Sequence, residues 1–169
     1  MYSRGAKKET VFVNDEDRRL YLDRLTKVTQ YMSWNCLAYC LMGNHMHLLI
    51  ETPQPNLGRG MQRLHGPYAQ GFNRRHAEAG HVYGARFKSK LIKSDMQLWV
   101  TTNYIAQNPV EAGLCRTPEA WPWSSHAQIA AGNSPKWLAS NRLFSFFGSL
   151  GGDPRERYLE YVASATGLP

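Results

Sequence analysis

Apolar positions along this chain follow two rhythms. Leu20, Leu22, Leu25, Val28 and Met32 recur at helical spacing behind the cap-forming run Asn14-Asp15-Glu16-Asp17, which predicts an amphipathic helix over 16–31. The stretch from Trp34 to Met42 is instead rich in strand formers. Gly43-Asn44 is a turn signal, and His45 to Glu51 returns as the second arm of a hairpin. Tyr2 to Gly5 reads as the end of an earlier strand. A second helix is predicted over Leu57–Ala77, carrying Met61, Leu64, Tyr68 and Phe72, with Gly66-Pro67 kinking or interrupting it. Past Gly80, Val82 to Ile92 reads as an extended, cation-rich strand. Ser94-Asp95 caps a third helix that runs to Gln107 and stops at Asn108-Pro109, because a residue ahead of proline avoids helical backbone.

The order β-α-β-β-α-β-α implies an α+β fold, a ferredoxin-like split β-α-β antiparallel sheet with helices on one side. That core spans residues 1–113. Residues 114–169 form a helical C-terminal extension: one helix from Ser124-Ser125 to Ala131, one over Leu138–Phe147, and one opened by Asp153-Pro154. Its aromatics, Trp121 and Trp123 among them, are expected to pack it onto the core.

With 169 residues the chain suits one sizeable core. Its composition, 43% apolar and 20% charged, is that of a globular protein. No apolar run approaches the roughly 18 residues of a membrane span, and the first residues carry no signal-peptide core. Cytoplasmic residence without membrane contact is the expectation. Cys36, Cys40 and Cys115 form no metal-binding pair and are expected to be reduced, structural thiols.

Net charge is +7, and it is concentrated. Arg59, Arg63, Arg74, Arg75, Arg86, Lys88, Lys90 and Lys93 face a single acid, Glu78, within 59–93. Tyr68, Phe72, His76, His81, Tyr83 and Phe87 interleave with these cations. Phosphates suit the charges and unstacked bases suit the rings, so these eight residues are candidate contacts to single-stranded nucleic acid. A plain solvated basic face is the competing reading. His65, His76 and His81 are expected to face solvent or nucleic acid.

The candidate chemistry starts at Asn44-His45-Met46-His47-Leu48. Strand side chains alternate faces, so His45 and His47 project together while Met46 and Leu48 enter a core. Two imidazoles on a rigid strand can hold one metal ion, or can simply line a wet sheet face. Tyr104 and Asn108 sit four residues apart on the third helix and share a face. The Asn108 carboxamide oxygen would complete a shell begun by the histidines, and the Tyr104 phenol would be a nucleophile. The bland readings are a core tyrosine and a helix-capping asparagine.

At these residues the chain resembles the REP-associated tyrosine transposases, a branch of the single-tyrosine HUH transposases. The resemblance runs through Arg4-Gly5, Ala38–Met42, Asn44–Ile50, Phe72–His76, Gly80–Tyr83, Arg86–Ser89, Tyr104–Leu114 and Trp121–Ser125, in order. Gly43 departs where the family usually has proline, His126 where tyrosine is common, and the first strand is shorter. The resemblance implies a metal site at His45 and His47 with Asn108 as third ligand, Mg²⁺ or Mn²⁺ as the metal, and Tyr104 as nucleophile. It further implies a metal-dependent transposase that cleaves and rejoins single-stranded or hairpin DNA through a 5′-phosphotyrosine, as monomer or homodimer. Two other readings stand beside it: a catalytically silent DNA-hairpin-binding protein of the same fold, and a nicking endonuclease of replication-initiator type.

Overall fold

A computed structural model describes residues 1–6, 9–148 and 151–164. Its sheet holds β1 (Tyr2–Arg4), β2 (Asn35–Leu41) and β3 (His45–Glu51), antiparallel in the order β1-β3-β2. The β2–β3 hairpin closes tightly, with the Met42 amide donating to the His45 carbonyl at 2.9 Å. Backbone amides of Val11, Phe12 and Gly5 donate to the carbonyls of Gly43 and Asn44, so the incoming chain braces the turn. Alternation then works as expected: Met46 and Leu48 are each 1% exposed on the face opposite the histidines.

The predicted fourth strand is not a strand. Over Val82–Ile92 only isolated bridges form, Tyr2 with Lys88 and Gly5 with Tyr83. β1 is three residues long and offers too short a ladder for a regular partner. Between the bridges the Gly84 amide donates to the Arg4 carbonyl, and a Cβ on Gly84 would come within 3.1 Å of the Ala6 backbone.

Three helices frame the sheet. α1 (Asp15–Met32) starts where Asn14 accepts the Asp17 amide at 3.0 Å and ends at Ser33 in the left-handed region. α2 (Leu57–His76) packs beside α1 and continues through Gly66-Pro67, so the proline does not interrupt it. Gly66 has no Cβ to collide with the proline ring, so one missing amide donor is the main cost. α3 (Asp95–Glu111) begins at its Ser94 cap and continues past Asn108-Pro109, where the sequence predicted its end. Asn108 and Pro109 are buried, and the Ala112 and Leu114 amides take their carbonyls at 3.0 and 2.9 Å. Packing there overrides the local preference of a pre-proline residue.

The C-terminal region lies along the free edge of β2. The Leu41 amide donates to the Trp123 carbonyl, the Ala139 amide donates to the Cys36 carbonyl, and the Ser125 hydroxyl brackets the Tyr39 backbone. Such cover removes an unpaired strand edge. After a 3-10 turn at Pro118–Ala120 come α4 (Ser125–Ala130), α5 (Ser140–Ser145) and α6 (Pro154–Ser164), the last capped by Asp153. α5 is shorter than the predicted Leu138–Phe147. Trp121 is half-buried and donates its indole N–H to the Leu41 carbonyl, while Arg18 stacks between Phe12, Trp121 and Trp123. Residues 165–169 lie outside the described part. Among the described residues no helix is long and apolar enough to cross a membrane.

Two histidines expected to face solvent or nucleic acid also make specific contacts within the protein. His76 binds the fully buried Asp17 carboxylate at 2.9 Å, beside Arg75, whose guanidinium holds the same group at 2.7 and 3.1 Å. Burial raises the Asp17 pKa, but Arg75, His76 and the Val13 amide outweigh it and hold the carboxyl below its ordinary value. His65 turns inward, stacked on Tyr83 at 4.3 Å and 3.3 Å from the Tyr21 hydroxyl. Cys36 and Cys40 are buried free thiols whose pKa values burial pushes up to about 12, which makes them inert as nucleophiles.

Burial lowers the His65 pKa from 6.5 to about 4. The unfolded chain therefore takes up this proton near 6.5 while the folded chain refuses it, and stability falls as pH drops through that window. His65→Gln keeps a partner for Tyr21 and removes the proton. Its denaturation free energy, followed from pH 7 to pH 4, should fall less steeply than wild type, by up to about 1.4 kcal/mol per pH unit.

Candidate active site

The hairpin and α3 bring four predicted residues together. His45 and His47 stand at 5.0 Å between ring centroids, edge to face. The Tyr104 ring lies 5.2 Å from that of His47. One turn further along α3, the Asn108 Oδ1 sits 3.1 Å from the His45 Nε2. The four residues are thus one constellation, although strand and helix are separated by 63 positions at the closest contact.

The protonation pattern suits a cation. His45 Nδ1 lies 2.6 Å from the Asn44 Oδ1, an acceptor, so the proton belongs on Nδ1 and Nε2 presents a lone pair toward Asn108. A lone pair and an amide oxygen at that separation converge on a space that an electron-poor atom would fill. His47 Nε2 is buried with no hydrogen-bond partner among the described residues. Burial foremost, then positive charge at His45, at the Met1 amine and at Arg4, lowers the His47 pKa to about 3; burial also lowers that of His45. Both rings are neutral at pH 7, the form that ligates metal. Nitrogen, nitrogen and amide oxygen make a thiolate-free set that fits a divalent ion of intermediate hardness. Among the described residues no three of His, Cys, Asp or Glu cluster, because the third donor here is an amide.

Tyr104 is 46% exposed, so the residue lies at the surface beside the pair instead of packing in the core. Two neighbours escaped the sequence reading. β1 pairs with β3 so that Tyr2 opposes His47 and Arg4 opposes His45. The Tyr2 ring lies 5.1 Å from His47 and 5.5 Å from His45, and the Arg4 guanidinium carbon lies 5.9 Å from the Tyr2 ring centroid. Alternation in Tyr2-Ser3-Arg4 was the available signal, but the register was not.

The eight candidate nucleic-acid contacts are exposed, on α2 (Arg59, Arg63, Arg74, Arg75) and on the following segment (Arg86, Lys88, Lys90, Lys93). A groove of about 840 Å³ separates the two elements, with Met61 and His65 on one wall and His81, Tyr83, Arg86 and Phe87 on the other. Arg75 is diverted to Asp17, and Arg63 lies 4.3 Å over the Tyr31 ring.

Comparison of the sequence with known ones places it in a family. The family described as "Transposase IS200 like" matches residues 4–108, and the chain belongs to that family. The fold is similar to a solved structure of a REP-associated tyrosine transposase bound to a REP hairpin. The TM-score is 0.63, at 17% identity over 79% of this chain and 80% of that one. No curated protein sequence matches it significantly.

Exposure separates the roles of the two α3 residues. Tyr104→Phe should change unfolding free energy by less than about 0.5 kcal/mol. Asn108→Ala empties part of a buried side-chain position at the margin of the α3 packing and should cost about 1 kcal/mol. Chemical denaturation of the two variants against wild type measures both.

Proposed function

We propose that the protein cleaves and rejoins single-stranded, hairpin-bearing DNA with Tyr104 as nucleophile. The observation that carries this reading is the meeting of an exposed phenol with the neutral histidine pair and Asn108. The solved relative bound to a REP hairpin supports hairpin DNA as the substrate class.

His45, His47 and Asn108 would hold the metal, Mg²⁺ or Mn²⁺. A divalent ion there supplies charge neutralisation at a non-bridging phosphate oxygen. The chain's own residues do the rest. Asn44 fixes the His45 tautomer, and the α3 backbone presents Tyr104 and Asn108 to the same place. The Tyr104 oxygen forms a bond to phosphorus as the bond to the 3′ oxygen breaks. The phenolic proton passes to water, and the departing 3′ oxygen ends as a hydroxyl. A free phenol titrates near 10, so attack at pH 7 gains from positive surroundings. Rejoining reverses the step: a 3′ hydroxyl attacks the phosphotyrosine. One phosphoester is exchanged for another in each direction, so no nucleotide hydrolysis is required. The basic groove beside α2 would track the strand.

Wild-type protein incubated with hairpin-bearing single-stranded DNA and Mn²⁺ should yield a covalent adduct that survives denaturing electrophoresis. Peptide mapping should place it on Tyr104 and not on Tyr2, the other phenol near the pair. Tyr104→Phe should lose the adduct while keeping DNA affinity, and His45→Ala should lose cleavage. Tight binding without an adduct under any divalent ion would mark a silent binder instead. With Arg75 occupied, seven of the eight cations remain for phosphates. Raising salt from about 50 to about 200 mM should then weaken binding by a factor on the order of 10³. Salt-insensitive binding in an anisotropy titration would rule out a backbone-tracking groove.

A further inference from the structure

The cross-strand pairing of Arg4 with His45 places a second kind of cation at the site. Directly opposed residues of an antiparallel pair project to the same face. Arg4 therefore stands on the histidine face, as Tyr2 does opposite His47. Its backbone is held on both flanks, by the ladder to β3 and by the Gly84 amide at 3.2 Å. Its guanidinium rests near the Tyr2 ring, which in turn contacts both imidazoles. Arg4 is exposed and forms no ion pair among the described residues.

That arrangement leaves the guanidinium without a counter-charge among the described residues of the free protein. A permanent cation is set on a rigid strand beside two imidazoles, and no carboxylate of the described residues balances it. A guanidinium so placed, with a planar fork of donors and no partner, is complementary to a phosphate. Ion pairs show the contrast elsewhere: Arg75, Arg142 and Arg157 each engage a carboxylate.

We propose that Arg4 is a catalytic residue that donates hydrogen bonds to a non-bridging oxygen of the phosphodiester attacked by Tyr104. The inference rests on the strand-transfer reading above and adds a residue to it. As the bond from Tyr104 to phosphorus forms and the bond to the 3′ oxygen breaks, negative charge builds on the non-bridging oxygens. Arg4 stabilises that charge and exchanges no proton. Tyr2 is a positioning residue: its ring holds the guanidinium and the His47 imidazole in one arrangement.

The experiment measures single-turnover adduct formation at saturating DNA for wild type, Arg4→Ala and Arg4→Lys. Each is run on a normal phosphodiester and on a strand whose scissile phosphate is an uncharged methylphosphonate. Loss of one such donor should slow Arg4→Ala by about 10²-fold on the phosphodiester, with Arg4→Lys in between. On the methylphosphonate the Arg4→Ala loss should shrink by at least about tenfold, because the standing charge of the phosphate is gone and only the charge built during attack remains. Such recovery also shows that the variant is folded. A readout without metal accompanies it: the salt slope of single-strand binding should flatten by about 0.7 in Arg4→Ala, one phosphate contact. An Arg4→Ala rate equal to wild type, or an equal loss on both substrates, overturns the proposal and leaves Tyr104 chemistry standing. Failure of wild type to form any adduct overturns both.

Discussion

β3 is hydrogen-bonded on both sides, and its two faces want opposite things. Met46 and Leu48 must enter the core, while His45 and His47 must face Tyr104 and Asn108 on the other side. A slip of one residue against either neighbour would bury both imidazoles in the core and put both apolar chains outside. Burying the apolar pair costs nothing extra in this register and much in any other, so hydrophobic burial sets the position of the histidines. The chemistry of the site thus inherits its precision from the core behind it.

α3 supplies the other half under a different constraint. It lies across β2 and β3, with Leu98, Thr102, Ile105 and Ala106 buried. Tyr104 falls on the exposed side of that packing and Asn108 at its margin, where its amide meets the strand. Continuation of the helix past Pro109 keeps Asn108 within a rigid turn. Had the helix ended where local preference ends it, the Asn108 amide would sit on a loop, and its distance from His45 would be set by loop motion.

Much of this was legible in residue order because the relevant periods are short. Alternation gave the histidine face, and a spacing of four gave the shared face of Tyr104 and Asn108. Longer-range facts were not legible. The pairing of Tyr2 with His47 depends on a register that three residues cannot announce. Arg75 looks like any exposed cation until the fold brings it to Asp17, 58 positions away. His65 reads as a polar residue on an amphipathic helix, yet Tyr21 and Tyr83 enclose it. The extended segment over Val82–Ile92 has strand-like composition, but its only available neighbour is too short to pair with it regularly. The proline signal misled in α3, because the local preference of the pre-proline residue was smaller than the packing it opposed.

The C-terminal region does more than add helices. Trp123, Ser125 and Ala139 satisfy backbone groups of β2 that would otherwise stand open, and the Gln107 side chain donates to the Val162 carbonyl in α6. Cut after residue 113, the chain would carry a bare, apolar strand margin, ready to recruit the same margin of another molecule into a continuous sheet. The family match ends at residue 108, while the backbone partners that cover the outer edge of β2 lie beyond it, at Trp123, Ser125 and Ala139.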